Sequence, residues 1–225
     1  VQILMNFCSI ELGSFYLDII KDRQYTAKDN SAARRSCQTA LYKIAEALVR
    51  WIAPILSFTA QEAWEQIPGK RDEFVFTQFW YDKLEKLDES SVFNSEFWQR
   101  MLTFRNEANK AIETARNNGV IGGSLEAVVN IYTKGQLLED LRKLENELRF
   151  VLITSKAIVS DAEAPADAIK SETLDCAFTV TKSQAKKCER CWHYEDDVDS
   201  DPEYPGLCSR CVENIKTQGE TRHFA

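Results

Sequence analysis

Apolar residues recur at three- and four-residue steps through most of the first 120 positions, which is the spacing of amphipathic helices. This pattern predicts a well-buried helix over residues 1–20, a polar joint over residues 21–30 and a long helix that begins at Ser31. Pro54 is expected to end or kink the long helix, because proline has no backbone N–H to donate inside a helix. The first part of the chain is therefore predicted to be helical.

Two further helices are predicted on either side of an irregular stretch. A capping-box pattern at residues 59–62 starts the first, and Pro68 with Gly69 ends it. The second starts at residue 94 or 95 and ends near Gly119, a suitable C-terminal cap. Between them an extended strap is expected to cross the helices; it covers residues 70–94, with Phe74, Phe76, Phe79 and Trp80 as aromatic anchors. Four helices side by side predict a helical bundle.

The periodicity changes after Gly122 and Gly123. Three strands are predicted: one over residues 127–132, one over residues 150–153 together with 157–159, and one over residues 177–181. Leucines at positions 137, 141, 144 and 148 share one face of an intervening helix, and residues 161–173 are expected to form a loop. Together these segments predict a small α+β subdomain with three strands.

Four of the seven cysteines form two close pairs, Cys188-x-x-Cys191 and Cys208-x-x-Cys211, separated by sixteen residues. Two such turns supply the four sulfur ligands of a closed tetrahedral zinc site, in which no position stays open to a reacting water. The sequence therefore predicts one structural Zn²⁺ per chain. Disulfide bonds among the four cysteines, or His193 as a competing ligand, remain alternatives.

These patterns divide the chain into three predicted domains. They are a helical bundle over residues 1–120, the α+β subdomain over residues 121–181 and a four-cysteine zinc finger over residues 182–225. The predicted fold class is mainly α with a small α+β part, and a chain of 225 residues is long enough to bury more than one core.

The remaining cysteines, Cys8, Cys37 and Cys176, are expected to be buried free thiols. The chain starts without a recognisable secretory signal, as a cut within a longer polypeptide would, so a reducing, cytoplasmic location is expected. No apolar run is long enough for a membrane span, and no membrane partner is predicted.

The net charge of −7 argues against nonspecific affinity of the whole chain for nucleic acid. Residues 20–50 nevertheless hold seven basic and three acidic side chains, which form either an RNA-phosphate surface or an ordinary solvated helix face. The candidate RNA contacts are Lys21, Arg23, Arg34 and Arg35 here, and Arg190, Trp192 and Arg210 in the cysteine-rich segment. In the structural alternative, the two finger arginines neutralise the thiolate centre and Trp192 covers the zinc core.

No catalytic constellation emerges from the sequence. The two histidines, His193 and His223, lie in or beside the cysteine-rich segment, and nothing around them indicates an activated nucleophile. The chain is therefore expected to bind rather than to catalyse.

The cysteine segment, with Arg190, Trp192 and His193 placed around its first pair, resembles the C-terminal zinc finger of bacterial isoleucyl-tRNA synthetases. A related finger occurs in DNA-repair glycosylases of the formamidopyrimidine type. Residues 15–26, 34–42 and 53–60 resemble the anticodon-binding helical domain of the same synthetases, which favours the synthetase over the glycosylase. The likeness covers essentially the whole chain and corresponds to the C-terminal part of a synthetase.

This resemblance implies the tRNA-binding region of a class I ligase that activates isoleucine with ATP. The catalytic domain, with its ATP and Mg²⁺, is expected outside this chain, because neither the His-Ile-Gly-His nor the Lys-Met-Ser-Lys-Ser signature of the family occurs here. The implied partners are the anticodon arm of isoleucine tRNA and the rest of the synthetase, and a monomer is expected. In an alternative function, the finger only packs on the synthetase body and never contacts RNA.

Overall fold

The computed structural model describes residues 1–224 as a mainly helical chain with a small sheet. Its α-helices are α1 Gln2–Asn6, α2 Leu17–Ile19, α3 Lys21–Tyr25, α4 Ala32–Ile52, α5 Ser57–Gln66, α6 Ser95–Asn117, α7 Gly135–Lys143, α8 Leu148–Leu152 and α9 Ser209–Lys216. A ten-residue π-helix joins α1 to α2 over Phe7–Tyr16. Short 3₁₀ helices occupy Val75–Thr77, Ser124–Glu126 and Glu145–Glu147. The strands are β1 Ala127–Thr133, β2 Lys156–Ser160, β3 Ile169–Lys170, β4 Cys176–Lys182, β5 Lys186–Lys187 and β6 Tyr194–Glu195.

The first twenty residues are helical, but the prediction that they are well buried is wrong. Only Ile19 and Ile20 are buried, where they pack with Cys37 of α4, whereas Ile3, Met5 and other apolar residues are exposed. The apolar positions of this segment are spread around the helix, so packing on one neighbour covers only its last turn.

The long helix α4 has the predicted bounds. The Ser31 side-chain oxygen accepts the Arg34 N–H at 3.2 Å and satisfies one of the free donors of the first turn. The helix ends at Ile52, two residues before Pro54.

Helix α5 begins at Ser57, earlier than the capping-box pattern at residues 59–62 predicts, and no side chain caps it. That interpretation of the pattern is wrong, because Thr59 lies inside the helix. The strap that follows is irregular, as expected, but its aromatic residues do not anchor it. Phe79 is 92% exposed, and the buried side chain that holds the strap against α4 and α5 is Val75.

The largest core joins α6 to the sheet. Asn94 caps α6 by accepting the Phe97 N–H at 3.0 Å, and the buried face of the helix packs on the inner faces of β1 and β4. The predicted domain boundaries at residues 120 and 181 remain predictions.

The sheet has the strand order β2-β1-β4-β3, with β1 parallel to β2 and antiparallel to β4. It contains four strands rather than three, because the two-residue β3 forms within the predicted loop at residues 161–173. The predicted strand at residues 150–153 is wrong: it falls largely in α8, whose residues Leu148, Phe150, Val151 and Leu152 are all buried. A helix enclosed on all sides has the same unbroken apolar sequence as a buried strand.

The cysteine-rich segment forms a small separate layer made of the β5-β6 hairpin and α9. It lies against α3 on one side and against the region of β2 and α8 on the other. Among residues 1–224, no helix is long and apolar enough to cross a membrane.

Candidate metal centre and nucleic-acid surface

The four paired cysteines converge in the centre of the finger. Cys188 and Cys191 lie on the turn between β5 and β6, Cys208 precedes α9 and Cys211 is in its first turn. All four are buried, and their sulfur atoms lie within 4.8 Å of one another. The Cys188 N–H donates to the His193 carbonyl at 2.8 Å and the Cys208 N–H approaches the Cys188 sulfur at 3.4 Å, so backbone contacts fix both turns.

The spacing of these sulfurs fits a tetrahedral zinc ion. The Cys191 and Cys208 sulfurs are 3.8 Å apart, and a tetrahedron with Zn–S bonds of about 2.3 Å requires about 3.8 Å. A disulfide needs about 2.05 Å, and all four residues are free cysteines in the structure. His193 stands outside this set, with its Nε2 atom 3.9 Å from an Asp22 oxygen.

Close contact among Cys191, Cys208 and Cys211 disturbs the ionisation of these three thiols. Hydrogen bonds from Cys208 and Cys211 hold the pKa of Cys191 well below its usual range. The same contact with Cys191 raises the pKa of Cys208, and it raises the pKa of Cys211 to about 12. A single thiolate is thus stabilised at the expense of its neighbours, and a divalent cation is the group that would keep all four as thiolates.

Two of the predicted RNA contacts, Arg190 and Arg210, join the finger to the helical region. Arg190 donates to the Thr26 carbonyl at 2.7 Å, and its Nη1 atom is 3.8 Å from the Cys211 sulfur. Arg210 binds the Asp22 carboxylate through both terminal nitrogens, at 2.7 and 2.8 Å. The finger is therefore docked on α3 through its arginines.

The four basic candidates of the helical region divide into two kinds. Arg23 is largely buried, with one nitrogen 3.3 Å from the Ser36 hydroxyl, and Arg34 forms an ion pair with Asp29 at 2.7 Å. Lys21 and Arg35 point to solvent, although Lys21 also contacts Asp18. RNA contact by any of these residues stays a prediction.

Trp192 is 59% exposed and borders a cavity of about 520 Å³, which is lined by α2 and α3, by the turn before β1, by α8 and by the finger. Tyr25, which is 77% exposed, lines the same cavity. The Lys187 ammonium is 5.6 Å from the centre of the Trp192 ring. Trp192 adopts a left-handed backbone conformation, with φ of 66°. Tyr25 is not among the predicted RNA contacts, although an aromatic residue within the polar joint at residues 21–30 was a signal for it.

The chain matches two protein families. Residues 1–131 match the family described as anticodon-binding domain of tRNA ligase, and residues 185–214 match the zinc finger found in FPG and IleRS. Proteins named isoleucine–tRNA ligase from Shewanella piezotolerans, Pseudoalteromonas atlantica and Proteus mirabilis are 58, 56 and 55% identical to the whole chain. The chain spans 24% of the length of each of these relatives.

Proposed function

Because this chain belongs to the family of anticodon-binding domains of tRNA ligases, we propose that it is the tRNA-binding region of an isoleucine–tRNA ligase. Its partner would be the anticodon arm of isoleucine tRNA. Activation of isoleucine with ATP and Mg²⁺ would belong to the three quarters of such a ligase that lie outside this chain. The observation that carries the proposal is the family match over residues 1–131, joined to whole-chain identity of 58%.

The RNA surface is the rim of the cavity between α3 and the finger. Two exposed aromatic rings, Tyr25 and Trp192, face this cavity, and Lys21 lies one turn from Tyr25 on α3. Sequence-specific RNA recognition uses unstacked bases that stack on aromatic side chains, while nearby cations hold phosphates. Arg23 and Arg210 do not offer exposed charge to RNA, because each is held in a buried ion pair. Their role in this proposal is to support the surface that carries Tyr25 and Trp192.

The finger would hold one Zn²⁺ through Cys188, Cys191, Cys208 and Cys211. The metal would supply structure: it would fix the turn that carries Trp192 and the helix that carries Arg210. In the alternative, the finger only packs on protein. The contacts of Arg190 with Thr26 and of Arg210 with Asp22 favour this role for those two side chains. The outward-facing ring of Trp192 favours RNA contact for the rest of the finger.

The salt dependence of tRNA binding tests the phosphate part of this proposal. Lys21→Ala with Lys187→Ala should weaken binding of isoleucine tRNA at low salt, because Lys21 lines the cavity and the exposed Lys187 lies beside Trp192. The slope of log affinity against log salt should fall by about 1 per lost phosphate contact. Lys134→Ala with Lys170→Ala is the matched control, since both lysines are exposed at the opposite end of the sheet. Equal affinities for the two double variants would contradict the proposed surface.

The exposed aromatic face of the strap is proposed as the contact with the rest of the ligase. Phe79, Trp80 and Phe76 line one groove with Pro54, and Phe58 on the adjacent α5 is also exposed. A patch this apolar is unusual on an isolated domain, and the relatives carry a large polypeptide that this chain lacks. Phe79→Asp with Trp80→Asp should weaken association with the separately produced remainder of the ligase, whereas Ile158→Asp on β2 should not. If Phe79→Asp with Trp80→Asp leaves that association unchanged but abolishes a self-association of this chain, the face contacts a second copy of the chain.

A further inference from the structure

The segment after α9 contains a buried arginine, Arg222. The Arg222 side chain is only 2% exposed, and its Nη1 atom lies 2.8 Å from an Asp22 oxygen on α3. Its guanidinium carbon is 3.5 Å from the centre of the Phe150 ring in α8. One side chain of this tail therefore touches two regions that are remote in sequence.

The backbone of the same tail is held as well. The Glu147 carboxylate accepts the His223 N–H at 2.6 Å and the Phe224 N–H at 2.8 Å. The Phe224 ring lies 5.2 Å from that of Phe93, at the edge of the core around α6. These contacts fix the direction of the tail as well as the position of Arg222.

Asp22 is the point at which the tail, the finger and α3 meet. It accepts hydrogen bonds from Arg210 of the finger and from Arg222 of the tail. Burial opposes its charged form, but Arg210 and then Arg222 outweigh burial and hold the pKa of Asp22 well below its usual range. Charges balance in the cluster, which consists of Arg23, Arg210 and Arg222 with Asp22, Glu147 and Glu220.

We propose that residues 219–224 form a latch that fixes α3 against the finger, and that Asp22, Glu147 and Arg222 are positioning residues for the RNA surface. Asp22 is adjacent to Lys21 and lies on the same short helix as Tyr25. Its partner Arg210 lies between the cysteines Cys208 and Cys211. A shift at Asp22 would therefore change the separation of Tyr25 and Trp192. The link to RNA rests on the proposed function, whereas the latch itself does not.

Arg222→Met tests the latch, because methionine keeps an apolar stem but removes the guanidinium. Amide hydrogen exchange in residues 21–26 should accelerate about tenfold, as expected when a local contact is released, while the zinc content stays at the wild-type value. Affinity for isoleucine tRNA should fall about tenfold. Lys216→Met is the matched control, since Lys216 is a partly exposed finger cation paired only with Asp201 and Glu203 among the ion pairs of residues 1–224; it should change neither readout.

The two readouts separate the latch from the proposed function. If exchange in residues 21–26 responds to Arg222→Met but wild-type protein binds no tRNA, the latch stands and the RNA proposal fails. Unchanged exchange in Arg222→Met would overturn the latch. If that variant does not fold, the isosteric Asp22→Asn carries the test on the same amides. If both single variants fold, Arg222→Met and Asp22→Asn are combined in one double variant. A loss of tRNA affinity equal to the sum of the two single losses would also overturn the latch, because two residues that act through one shared contact should not have additive effects.

Discussion

Removal of the metal should unfold the finger and leave the rest of the chain folded. Besides the four cysteines, the inner cluster of the finger contains only Val198 and Leu207. Burial of two such side chains stabilises by about 3–6 kcal/mol, whereas structural zinc contributes about 10–16 kcal/mol in finger peptides. The metal contribution is therefore the larger one, and the apolar cluster alone is too small to order the segment.

A chelator titration followed by amide hydrogen exchange checks this expectation. Residues 186–216 should lose protection when the metal is removed, whereas β1 and α6, which share the largest core, should keep theirs. Residues 22–28 should exchange faster as well, because Thr26 and Lys28 are bonded to Arg190 and to Asn214 of the finger. Elemental analysis should find one zinc per chain before the treatment.

Single cysteine variants give the control. Cys208→Ser should lose zinc and reproduce the exchange pattern of the chelated protein, whereas Cys176→Ser should keep zinc, since Cys176 lies in β4 on the core around α6. Burial raises the pKa of the Cys176 thiol to about 11, so it remains protonated at neutral pH and is a poor metal ligand. Equal protection of residues 186–216 with and without metal would refute the reasoning, as would disulfides among the four cysteines in native protein.

Two further predictions address the RNA surface and the helical region. Trp192→Ala should lower affinity for isoleucine tRNA by about 5- to 150-fold, the range for one lost base stack of 1–3 kcal/mol, and should leave the salt slope unchanged; a reduced slope would argue against stacking. Glu46→Gln should reduce the free energy of unfolding at pH 7 by about 3 kcal/mol, because Glu46 is buried between Arg50 and Arg71. Burial opposes the charged form of Glu46, but hydrogen bonds from Arg71 and then Arg50 lower its pKa to about 2. The difference in free energy of unfolding between wild type and Glu46→Gln is therefore complete above the usual glutamate pKa and shrinks as the pH falls towards 2. Urea unfolding at pH 7 and pH 3 should show this smaller difference at pH 3, and an equal difference at both pH values would contradict the prediction.

Features with a local cause were predictable from the sequence. Ser31 and Asn94 each cap a helix through one side-chain bond to a backbone N–H three residues ahead, and both starts were predicted within a residue. The cluster of the four paired cysteines was equally predictable from the sequence, because the C-x-x-C spacing alone brings two sulfurs to one point. The family match over residues 1–131 confirms the predicted family, and the helices of the structure confirm the mainly helical fold.

Features that depend on the tertiary environment were not predictable. The aromatic residues of the strap were expected to be anchors because large apolar side chains are usually buried, yet Phe79 is exposed and the smaller Val75 is buried. The apolar run in α8 looked like a strand because the sequence does not reveal that neighbours enclose it on every side. In both cases the missing information was which other segment covers the surface.

The finger arginines show why charge alone does not identify an RNA surface. Arg190 and Arg210 occupy equivalent places in the two cysteine turns, and their sequence context is the same whether they face phosphate or carboxylate. In the structure Arg210 pairs with the buried carboxylate of Asp22, as expected because a buried carboxylate requires cationic partners. Nothing in the local sequence connects positions 22 and 210. A guanidinium committed to a buried pair would have to give up that pair to bind RNA. The proposed RNA surface therefore consists of the exposed groups around Tyr25 and Trp192, with the arginines as its support.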